Sequence, residues 1–469
     1  MNQFISTAIP YVNASPHIGF ALELVITDVL ARHSRLRRHE TFFVSGTDEN
    51  SLKNVLAAER AGCDVKDFVA AHAAEFKALT EPLDLSTDDF IRTSVDCRHA
   101  PEVESLWRAV EAAGDIYRAD YTGLYCVGCE QFYREPELVD GRCPEHGTEP
   151  ERVAESNYFF RLSRYQNALV ELIQSGRLRI EPATRRNEML SFLARPLEDL
   201  SISRSVERAH GWGIEVPGDP TQIVYVWFDA LVNYISAYGA RRWRDADKIS
   251  HVIGKGVSRF HAVYWPAILL SAGRRLPDEI LVHGYVTTDG DKISKSAGRS
   301  IDVTGAAAAC GTDALRYYLI RHVGSHRDGD FSTARLEHAY THELANQLGN
   351  LVSRLVTLTH EHCIRDAASA AHDDLQRRVS AHLDAFAVHR ALAEIWHEVE
   401  DVNAYISQQQ PWRLAKAGQT TALHDVLGTA LRRVRAIAYV LAPFLPRTSQ
   451  RIHARLDSGP GEPLFPKSR

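Results

Sequence analysis

The chain has 469 residues, 45% of them apolar, and this length predicts two or three domains rather than one. No run of eighteen apolar residues occurs, and the first residues lack the basic and apolar segments of a secretion signal, so we expect a cytoplasmic protein without a membrane span. The net charge of −6 gives no indication of a nucleic-acid-binding face, although it does not exclude one.

The first part of the chain alternates between strand-like and helix-like segments. The predicted elements are, in chain order, a strand at 4–9, a helix at 21–38, a strand at 41–44 and a helix at 52–61. After a cysteine-rich interruption at about 116 to 195, strand-like segments return at 223–227, 251–253 and 279–282. Alternation of this kind predicts a parallel α/β sheet.

The last part of the chain has a different pattern. From about residue 336 onward, long amphipathic helices are predicted with few strand signals. The residues after Leu456 are rich in Gly and Pro, and we expect them to be poorly ordered. A separate helical region therefore follows the α/β part.

A turn after the first predicted strand is the first candidate for a nucleotide site. It has the sequence Pro16-His17-Ile18-Gly19 and precedes the first helix. Ligands of open α/β sheets bind at such places, and a helix N-terminus favours phosphate. Glycine lets a ligand approach the backbone closely. A turn with an incidental histidine remains an equally good interpretation of this tetrapeptide alone.

A second candidate is the polar loop Lys292-Ile293-Ser294-Lys295-Ser296. Two lysines on a loop are able to clamp a triphosphate and to stabilise charge on the departing pyrophosphate. Taken alone, however, the loop is better interpreted as a solvated surface segment.

The two motifs together, in this order and far apart, resemble the HIGH and KMSKS signatures of class I aminoacyl-tRNA synthetases. The resemblance covers nearly the whole chain and indicates the methionyl branch. Further segments that resemble methionyl enzymes are Ala8–Asn13, Gly46–Glu49, Val226–Leu231, Ile253–Lys255 with Phe260-His261, and Gln410–Trp412. Agreement at so many ordered sites is not expected by chance.

The resemblance implies an α/β Rossmann-type catalytic core with an inserted zinc-knuckle connective domain, followed by an all-α helical-bundle anticodon-binding domain. The expected boundaries are 1–115 for the first half of the core, 116–195 for the insertion, 196–335 for the second half with the KMSKS-type loop, and 336–469 for the helical domain. Because the chain ends soon after the helical domain, we expect a monomer.

The same resemblance implies substrates and contact residues. The residues expected to bind ATP with Mg²⁺ are His17, Gly19, Gly254, Lys292, Ser294 and Lys295, of which His17, Lys292 and Lys295 are the expected catalytic residues. Asp48 is expected to pair with the ammonium group of L-methionine. The expected pocket walls are Ile9, Tyr11, Trp227, Ala230, Leu231, Tyr234, Phe260 and His261. Sulfur packs favourably against aromatic edges, although an aromatic residue taken alone is more often a core residue.

Three of the seven cysteines lie close together in the sequence and indicate a metal site. Cys126 and Cys129 form a Cys-x2-Cys pair, and Cys143 and His146 follow after thirteen residues with the same spacing. Two close pairs suit a tetrahedral structural Zn²⁺. Three unrelated thiols and a surface histidine are the alternative.

The helical part carries the expected contacts to tRNA. Gln410-Pro411-Trp412 follows a predicted helix, which Pro411 is expected to end. An exposed Trp412 is a stacking platform for an unpaired base, and the resemblance implies that it stacks on the tRNA anticodon; burial between helices is the alternative. Weaker candidates, which a spacing of four places on one predicted helix face, are Asn346, Asn350 and Arg354.

Three positions beside the expected reaction centre depart from the family pattern. Phe20 stands at the second histidine of HIGH, Asn50-Ser51 stands where the family has His-Gly, and Gly256 stands where Asp follows Gly-Lys. Phenylalanine cannot hydrogen-bond to a phosphate, and removal of such a donor costs about 2.7–4 kcal/mol of transition-state stabilisation.

The leading hypothesis is a methionine–tRNA ligase, which activates methionine with ATP and transfers it to a methionine-accepting tRNA. One alternative is a divergent paralogue that passes an activated amino acid to a small molecule, and the retention of Gln410 and Trp412 argues against it. Another is a non-catalytic tRNA-binding homologue, and the retention of His17, Lys292 and Lys295 argues against that.

Overall fold

The computed structural model describes residues 1–128, 131–133, 135–144, 147–288, 291–292, 301–364 and 373–466. The chain divides into two units. The first unit comprises 1–16, 39–78 and 87–282, and the second comprises 17–38, 79–86 and 283–469. Among the described segments, no helix combines the length and apolar character that a membrane crossing requires.

Strands and helices alternate at the start of the chain, as predicted. The elements are β1 (Asn2–Thr7), α1 (Ile18–Leu36), β2 (Glu40–Thr47), α2 (Leu52–Ala61), α3 (Val65–Ala78), β3 (Asp89–Arg92) and α4 (His99–Ala112). The bounds of α2 match the prediction because the sequence marks both ends. The Ser51 side chain accepts from the Lys53 N–H at 3.0 Å, and Gly62 ends the helix with a φ of 66°.

An antiparallel sheet follows in the cysteine-rich stretch. The stretch contains β4 (Ile116–Cys126), β5 (Gln131–Tyr133), β6 (Glu151–Phe160), α5 (Gln166–Gln174), β7 (Arg179–Glu181), α6 (Ala183–Leu193) and β8 (Leu200–Ser201). Of these strands, β7 belongs to the parallel sheet described below. The strand order in the antiparallel sheet is β5-β4-β6-β8, and β4 pairs with β6 along ten residues, from Ile116 opposite Phe160 to Tyr125 opposite Glu151. Because β4 pairs antiparallel with both β5 and β6, no α-helix is needed between these three strands, and the alternation of strand and helix stops from β4 to β6.

The alternating pattern then returns in shorter pieces. The elements are β9 (Ser203–Ser205), β10 (Glu215–Val216), β11 (Asp219–Val224), α7 (Val226–Leu231), α8 (Asn233–Ser236), α9 (Arg241–Arg244), β12 (Lys248–Gly254), α10 (Trp265–Ser271) and β13 (Glu279–His283). The strand predicted at 223–227 is wrong at its end, because Val226 begins a helix. A six-residue buried helix and a buried strand have the same apolar run. Moreover, β11 pairs antiparallel with β9 and β10, outside the parallel sheet.

The parallel sheet that the sequence predicts is the centre of the first unit. Its strand order is β3-β2-β1-β12-β13-β7. β1 pairs in parallel with both β2 and β12, β2 with β3, and β13 with β7. Five consecutive residues of β13 are buried, as expected for a strand covered on both faces. The carboxyl ends of β1, β2 and β12 therefore lie side by side at one edge.

The second unit contains α1 and the elements from β14 onward. These are β14 (Val286–Thr288), β15 (Asp291–Lys292), α11 (Val303–Cys310), α12 (Thr312–Tyr318), β16 (Gly329–Phe331), α13 (Thr333–Ala339), α14 (Asn350–Glu361), α15 (Asp373–Asp384), α16 (Val388–Gln409), α17 (Pro411–Lys416), α18 (Thr420–Leu441) and α19 (Pro446–Ser458). The helical character predicted from about residue 336 is thus confirmed. A π-helical turn at Leu319–Val323 continues α12, and another at Tyr340–Gly349 joins α13 to α14.

One buried guanidinium fixes α1 within the second unit. Arg316 of α12 forms an ion pair with Asp28 of α1 at 2.8 Å, and it donates to the carbonyls of Leu83 and Phe444 at 2.9 and 2.8 Å. Burial raises the pKa of Asp28, but Arg316 and Arg32 outweigh it, and the net effect lowers the pKa. The helix that begins at the HIGH-like motif is therefore held to the turn before α19.

The tail after α19 is better ordered than the sequence suggests. Leu464 and Phe465 are buried, and Arg451 donates to the Leu464 carbonyl at 2.6 Å. Tyr340 also donates to the Pro466 carbonyl at 2.6 Å. The expectation of poor order is therefore wrong for the described residues up to 466, because two apolar side chains anchor a Gly- and Pro-rich segment.

Candidate active site

The turn after β2 places Asp48 at the carboxyl end of the parallel sheet. Asp48 forms a parallel bridge with Tyr11, which follows β1, and its N–H donates to the Pro10 carbonyl at 2.9 Å. The Asn54 side chain donates to the Asp48 carbonyl at 3.0 Å, and Asp48 itself is buried. These contacts fix a carboxylate at the edge where open α/β sheets bind ligands.

An aromatic cluster lies in the same unit. The rings of Trp227 and Phe260 are stacked, with centroids 3.6 Å apart and planes at 9°. Tyr11 meets Trp227 edge to face, with ring centroids at 6.0 Å. Trp227 lies on α7 and Phe260 on the π-helical turn Phe260–Tyr264, so residues that are far apart in sequence come together here. Such a cluster offers both faces and edges of rings to an apolar ligand.

A tyrosine–histidine pair supplies the polar part of this cluster. The Tyr234 hydroxyl and His261 Nε2 are 2.7 Å apart, and His261 Nδ1 is 3.0 Å from the Val257 carbonyl. Because a carbonyl only accepts, Nδ1 carries the proton, and Nε2 accepts from Tyr234. Burial lowers the pKa of His261 to about 4. The imidazole is therefore neutral at physiological pH.

The remaining predicted wall residues lie on the same elements. Ala230 and Leu231 are buried on α7, one turn beyond Trp227. Ile9 is half-buried, and a Cβ added at Gly46 would lie 3.2 Å from its Cγ2 atom. The residues proposed for the amino-acid pocket are thus concentrated at the ends of β1 and β2, on α7 and α8, and on the turn after β12.

His251 is a polar residue of this region that the sequence interpretation missed. It lies on β12, is fully buried, and its ring centroid is 4.2 Å from that of Tyr234. Its Nδ1 is 2.7 Å from the Ser6 hydroxyl. Burial, with His261 as a lesser cause, holds the pKa of His251 well below its ordinary value. Within the strand, nothing in the sequence pattern distinguished it from an ordinary core residue.

The residues that depart from the family pattern in this unit have defined surroundings. Asn50 donates to Asp229 Oδ2 at 2.7 Å, and Ser51 caps α2. Gly254 ends β12, and Gly256 is exposed in the 3-10 turn Lys255–Val257 that follows. The glycine expected to contact ATP therefore lies at the carboxyl edge of the sheet, beside the position that has lost a carboxylate.

The HIGH-like motif begins a helix of the second unit. His17 is the N-terminal cap of α1, and its Nδ1 accepts from the Gly19 N–H at 3.1 Å. A Cβ at position 19 would lie 2.9 Å from the His17 ring, so the close imidazole already requires glycine there. Phe20 is buried, as an apolar side chain in place of an imidazole is expected to be.

The KMSKS-like loop lies mostly outside the described residues. The backbone of Lys292 belongs to β15, which pairs antiparallel with β14, with Lys292 opposite Thr287. Ser294 and Lys295, together with the side chain of Lys292, are outside the described part of the chain. Their roles remain predictions.

Two of the four predicted zinc ligands are described. Cys126 at the end of β4 and Cys143 are both buried and belong to one small cluster with Tyr133. Cys129 and His146 lie outside the described residues. The structure thus brings one thiol of each predicted pair into the same cluster, which is the pairing that a tetrahedral site needs.

The helical region presents Trp412 at its surface. α16 ends at Gln409, Gln410 has a left-handed φ of 48°, and Pro411 begins α17. Trp412 is 43% exposed, so the alternative of burial between helices is wrong. An exposed indole beside a helix break is able to stack on an unpaired base.

The weaker candidates for anticodon contacts are also exposed. Asn346 lies in the π-helical turn Tyr340–Gly349, whereas Asn350 and Arg354 lie in α14. Residues four apart lie near one face in either kind of helix, so the prediction that these three side chains share a face stands, and their role in binding tRNA stays a prediction.

A parallel sheet, a helix that begins at a HIGH-like motif and a helical region with an exposed tryptophan are features of class I aminoacyl-tRNA synthetases. Comparisons with known proteins agree. The family model "tRNA synthetases class I (M)" matches residues 3–155 and 137–356. The model "Anticodon binding domain of methionyl tRNA ligase" matches residues 361–466.

The chain belongs to the methionyl-tRNA synthetase family. It is 38% identical to the methionine–tRNA ligase of Thermotoga maritima, over 97% of this chain and 75% of that protein. It is 40% identical to that of Mycobacterium tuberculosis, over 98% and 93%. A solved structure described as Mycobacterium tuberculosis methionyl-tRNA synthetase in complex with methionyl-adenylate is similar with a TM-score of 0.92 and 37% identity, covering all of both chains.

Proposed function

We propose that the chain is a methionine–tRNA ligase. The observation that carries this proposal is the aromatic cluster of half-buried Tyr11 with buried Trp227 and Phe260, beside the neutral Tyr234–His261 pair. An unbranched thioether needs an apolar, polarizable pocket of this kind. The family membership supports the same reaction, and it does not favour transfer to a small molecule or a non-catalytic role.

The first step is the formation of methionyl-adenylate. A carboxylate oxygen of methionine attacks the α-phosphorus of ATP, and the bond from that phosphorus to pyrophosphate breaks. Asp48 pairs with the ammonium group of methionine and so orients the carboxylate for the attack. Trp227, Phe260 and Tyr11 surround the thioether, at about 0.3–1.5 kcal/mol for each sulfur–aromatic contact.

The triphosphate is held by groups from both signatures. The proposed contacts are His17 and Gly19 at the start of α1, Gly254 at the end of β12, and Lys292, Ser294 and Lys295. His17 and the two lysines stabilise charge that develops on the phosphates as pyrophosphate leaves. When bound, Mg²⁺ would neutralise further phosphate charge. In this chain Phe20 contributes no donor.

In the second step, the terminal hydroxyl of a methionine-accepting tRNA attacks the carbonyl carbon of the adenylate, and AMP leaves. Trp412 stacks on an anticodon base and thereby selects the tRNA, with Asn350 and Arg354 of α14 and Asn346 as further contacts. The reaction and the selection of tRNA thus depend on different groups of residues.

The connective stretch 116–195 is proposed to hold one structural Zn²⁺ between Cys126, Cys129, Cys143 and His146. The proposed catalytic core comprises 1–115 and 196–335 together with β7, a strand of the parallel sheet that lies within 116–195, and the proposed helical domain is 336–469. The shared cluster of buried Cys126 and Cys143 supports the zinc site. Elemental analysis of gently purified protein should find about one zinc per chain. Cys143→Ala should lose it, whereas Cys63→Ala, an exposed thiol, should retain it. Zinc-free wild-type protein would contradict the site.

ATP–pyrophosphate exchange with each standard amino acid in turn tests the proposed function. We expect exchange with methionine and acylation of initiator and elongator methionine tRNA. Exchange that depends on another amino acid, or none with any, would overturn the proposal.

A further inference from the structure

A buried carboxylate that the proposed reaction does not use lies on the same helix as Trp227 of the aromatic cluster. Asp229 of α7 is fully buried, two residues after Trp227 and one before Ala230. Asn50 Nδ2 donates to Asp229 Oδ2 at 2.7 Å, and His99 Nε2 is 2.5 Å from Asp229 Oδ1. Because a carboxylate only accepts, His99 donates from Nε2. Each oxygen of Asp229 therefore has its own donor.

The partners of Asp229 are fixed in turn. His99 Nδ1 lies 3.0 Å from the Ser236 hydroxyl, and that hydroxyl bonds to the Val232 carbonyl at 3.0 Å. Asn50 also contacts the Thr93 carbonyl at 3.3 Å. A buried network in which each member is hydrogen-bonded is rigid, and the loss of one member is costly.

Asn50 belongs to the turn that carries the proposed ammonium ligand. Asp48 is two residues before it, and Asn54, four residues after it, holds the Asp48 carbonyl. The Asn50–Asp229 bond therefore joins the turn with Asp48 to the helix with Trp227. These two elements are 179 residues apart in sequence, and this side-chain bond ties them directly.

We propose that Asn50 is a positioning residue for amino-acid binding, and this inference rests on the proposed function. Its side-chain amide fixes the distance between the Asp48 carboxylate and the pocket residues of α7. Asp48 binds the ammonium group of the amino acid, and the α7 residues contact its side chain. That distance sets the length of amino acid that the site accepts. Loss of the bond therefore weakens binding of methionine and leaves binding of ATP unchanged.

The choice of side chain at position 50 gives the proposal a distinctive test. An amide has no charge to gain or lose, so Asn50 donates to Asp229 at any pH. In Asn50→Asp, two carboxylates face each other, and they cannot both stay ionised at this distance. Protonation of one of them at low pH restores an O–H···O bond.

Other ionisable groups surround this position and must be taken into account. His99 of α4 faces Asp229 from the other side, and Asp48 and Glu49 lie in the turn of Asn50 itself. Glu49 is paired with Arg92 of β3 at 2.7 Å. Asn50→Ala keeps all of these groups and adds none, so the difference in pH dependence between the Asp and Ala variants isolates the new carboxyl group.

The experiment measures the methionine KM and the ATP KM in pyrophosphate exchange between pH 6 and 8.5 for wild type, Asn50→Ala, Asn50→Asp and Asn50→His. We expect Asn50→Ala to raise the methionine KM about tenfold at every pH relative to wild type. Asn50→Asp should raise it more at pH 8.5 and approach wild type as the pH falls. Asn50→His, which restores an N–H donor, should lie close to wild type. In all of them the ATP KM should change less than about twofold.

Control variants and melting curves distinguish a failure of this inference from misfolding and from a failure of the proposed function. Asn187→Asp makes the same chemical change at an exposed position of α6 and should match wild type. Thermal melting of each variant shows whether it is folded. If wild type shows normal exchange but Asn50→Asp has a pH-independent methionine KM equal to wild type, this inference alone is overturned. Equal shifts of the methionine KM and the ATP KM in Asn50→Ala would also overturn it. Wild type without methionine-dependent exchange would overturn the proposed function as well.

Discussion

Two aromatic sites in this chain are built in opposite ways. In the proposed amino-acid pocket, Trp227 is 8% exposed and stacks on Phe260, whereas Trp412 in the helical region is 43% exposed at a helix break. A pocket for a small apolar side chain gains by excluding water, since burial of apolar surface supplies its affinity. A platform for a nucleobase must stay open until the tRNA arrives. The different exposure of the two tryptophans fits the two different substrates proposed for them.

The polar groups of the two sites differ in the same way. In the pocket, Tyr234 and His261 bond to each other, and Asn50 and His99 bond to Asp229. In the helical region, Asn350 and Arg354 are exposed. The side chains of the proposed pocket are thus bonded to one another within the protein, so a substitution there is expected to affect neighbouring groups. A substitution near Trp412 is expected to act on tRNA alone.

The largest effect is expected from Trp227→Ala, which removes a buried wall of the pocket. Truncation of a buried tryptophan lowers the free energy of unfolding by about 3–5 kcal/mol. It also removes the apolar surface against which the methionine side chain is proposed to pack. We expect the kcat/KM for methionine in pyrophosphate exchange to fall at least about a hundredfold. Trp227→Phe keeps an aromatic ring and should lose much less. Full exchange activity in folded Trp227→Ala would mean that the aromatic cluster does not bind methionine.

The next effect concerns the stability of the pocket at acidic pH. Burial lowers the pKa of His261 to about 4, below its unfolded value of 6.5. Between these values the unfolded chain binds more protons than the folded chain, so the stability is full above pH 6.5 and is lost as the pH falls towards 4. The loss reaches about 3 kcal/mol for this group.

His261→Gln checks this effect, because glutamine cannot take up the proton. Its melting temperature, measured from pH 7.5 to 4.5, should fall less than that of wild type. Some dependence should remain, since buried His251 has a lowered pKa as well. Parallel curves for the two proteins would show that His261 is not held neutral by the fold.

A smaller effect, confined to one step, is expected from Trp412→Ala. Stacking of a base on an aromatic side chain is worth about 1–3 kcal/mol, so the kcat/KM for tRNA acylation should fall by a factor of about 5 to 150. Pyrophosphate exchange should change less than about twofold, and Trp412→Tyr should retain most of the acylation. Equal losses of acylation and of pyrophosphate exchange would contradict the proposal that Trp412 acts on tRNA binding alone.

Much of the fold follows from local patterns in the sequence. The predicted bounds of α2 match the structure, in which Ser51 and Gly62 cap the helix, and the alternation of strand and helix predicted the parallel sheet. The end of the strand predicted at 223–227 was wrong, because a short buried helix resembles a strand in its apolar run. The expected disorder of the tail was wrong because Leu464 and Phe465 find a buried place that only the tertiary structure supplies.

The candidate site was predictable to a lesser degree. The resemblance indicated its walls, but it did not indicate the network behind them. Asn50 and Asp229 are 179 residues apart, and no local pattern couples them. His251 has the sequence environment of an ordinary strand residue and gains its significance only from the neighbouring Tyr234 ring. Polar groups that act through tertiary contacts leave little trace in a single sequence.

The most direct test of the account is acylation of a methionine-accepting tRNA compared with the same tRNA carrying a replaced anticodon. The assay follows aminoacylated tRNA on acid gels with ATP and methionine saturating. We predict that the first tRNA is methionylated and that kcat/KM falls by at least about a hundredfold for the second. Pyrophosphate exchange should be the same with either tRNA. Strong methionine-dependent exchange with acylation of neither tRNA would contradict a ligase that uses tRNA as its acceptor.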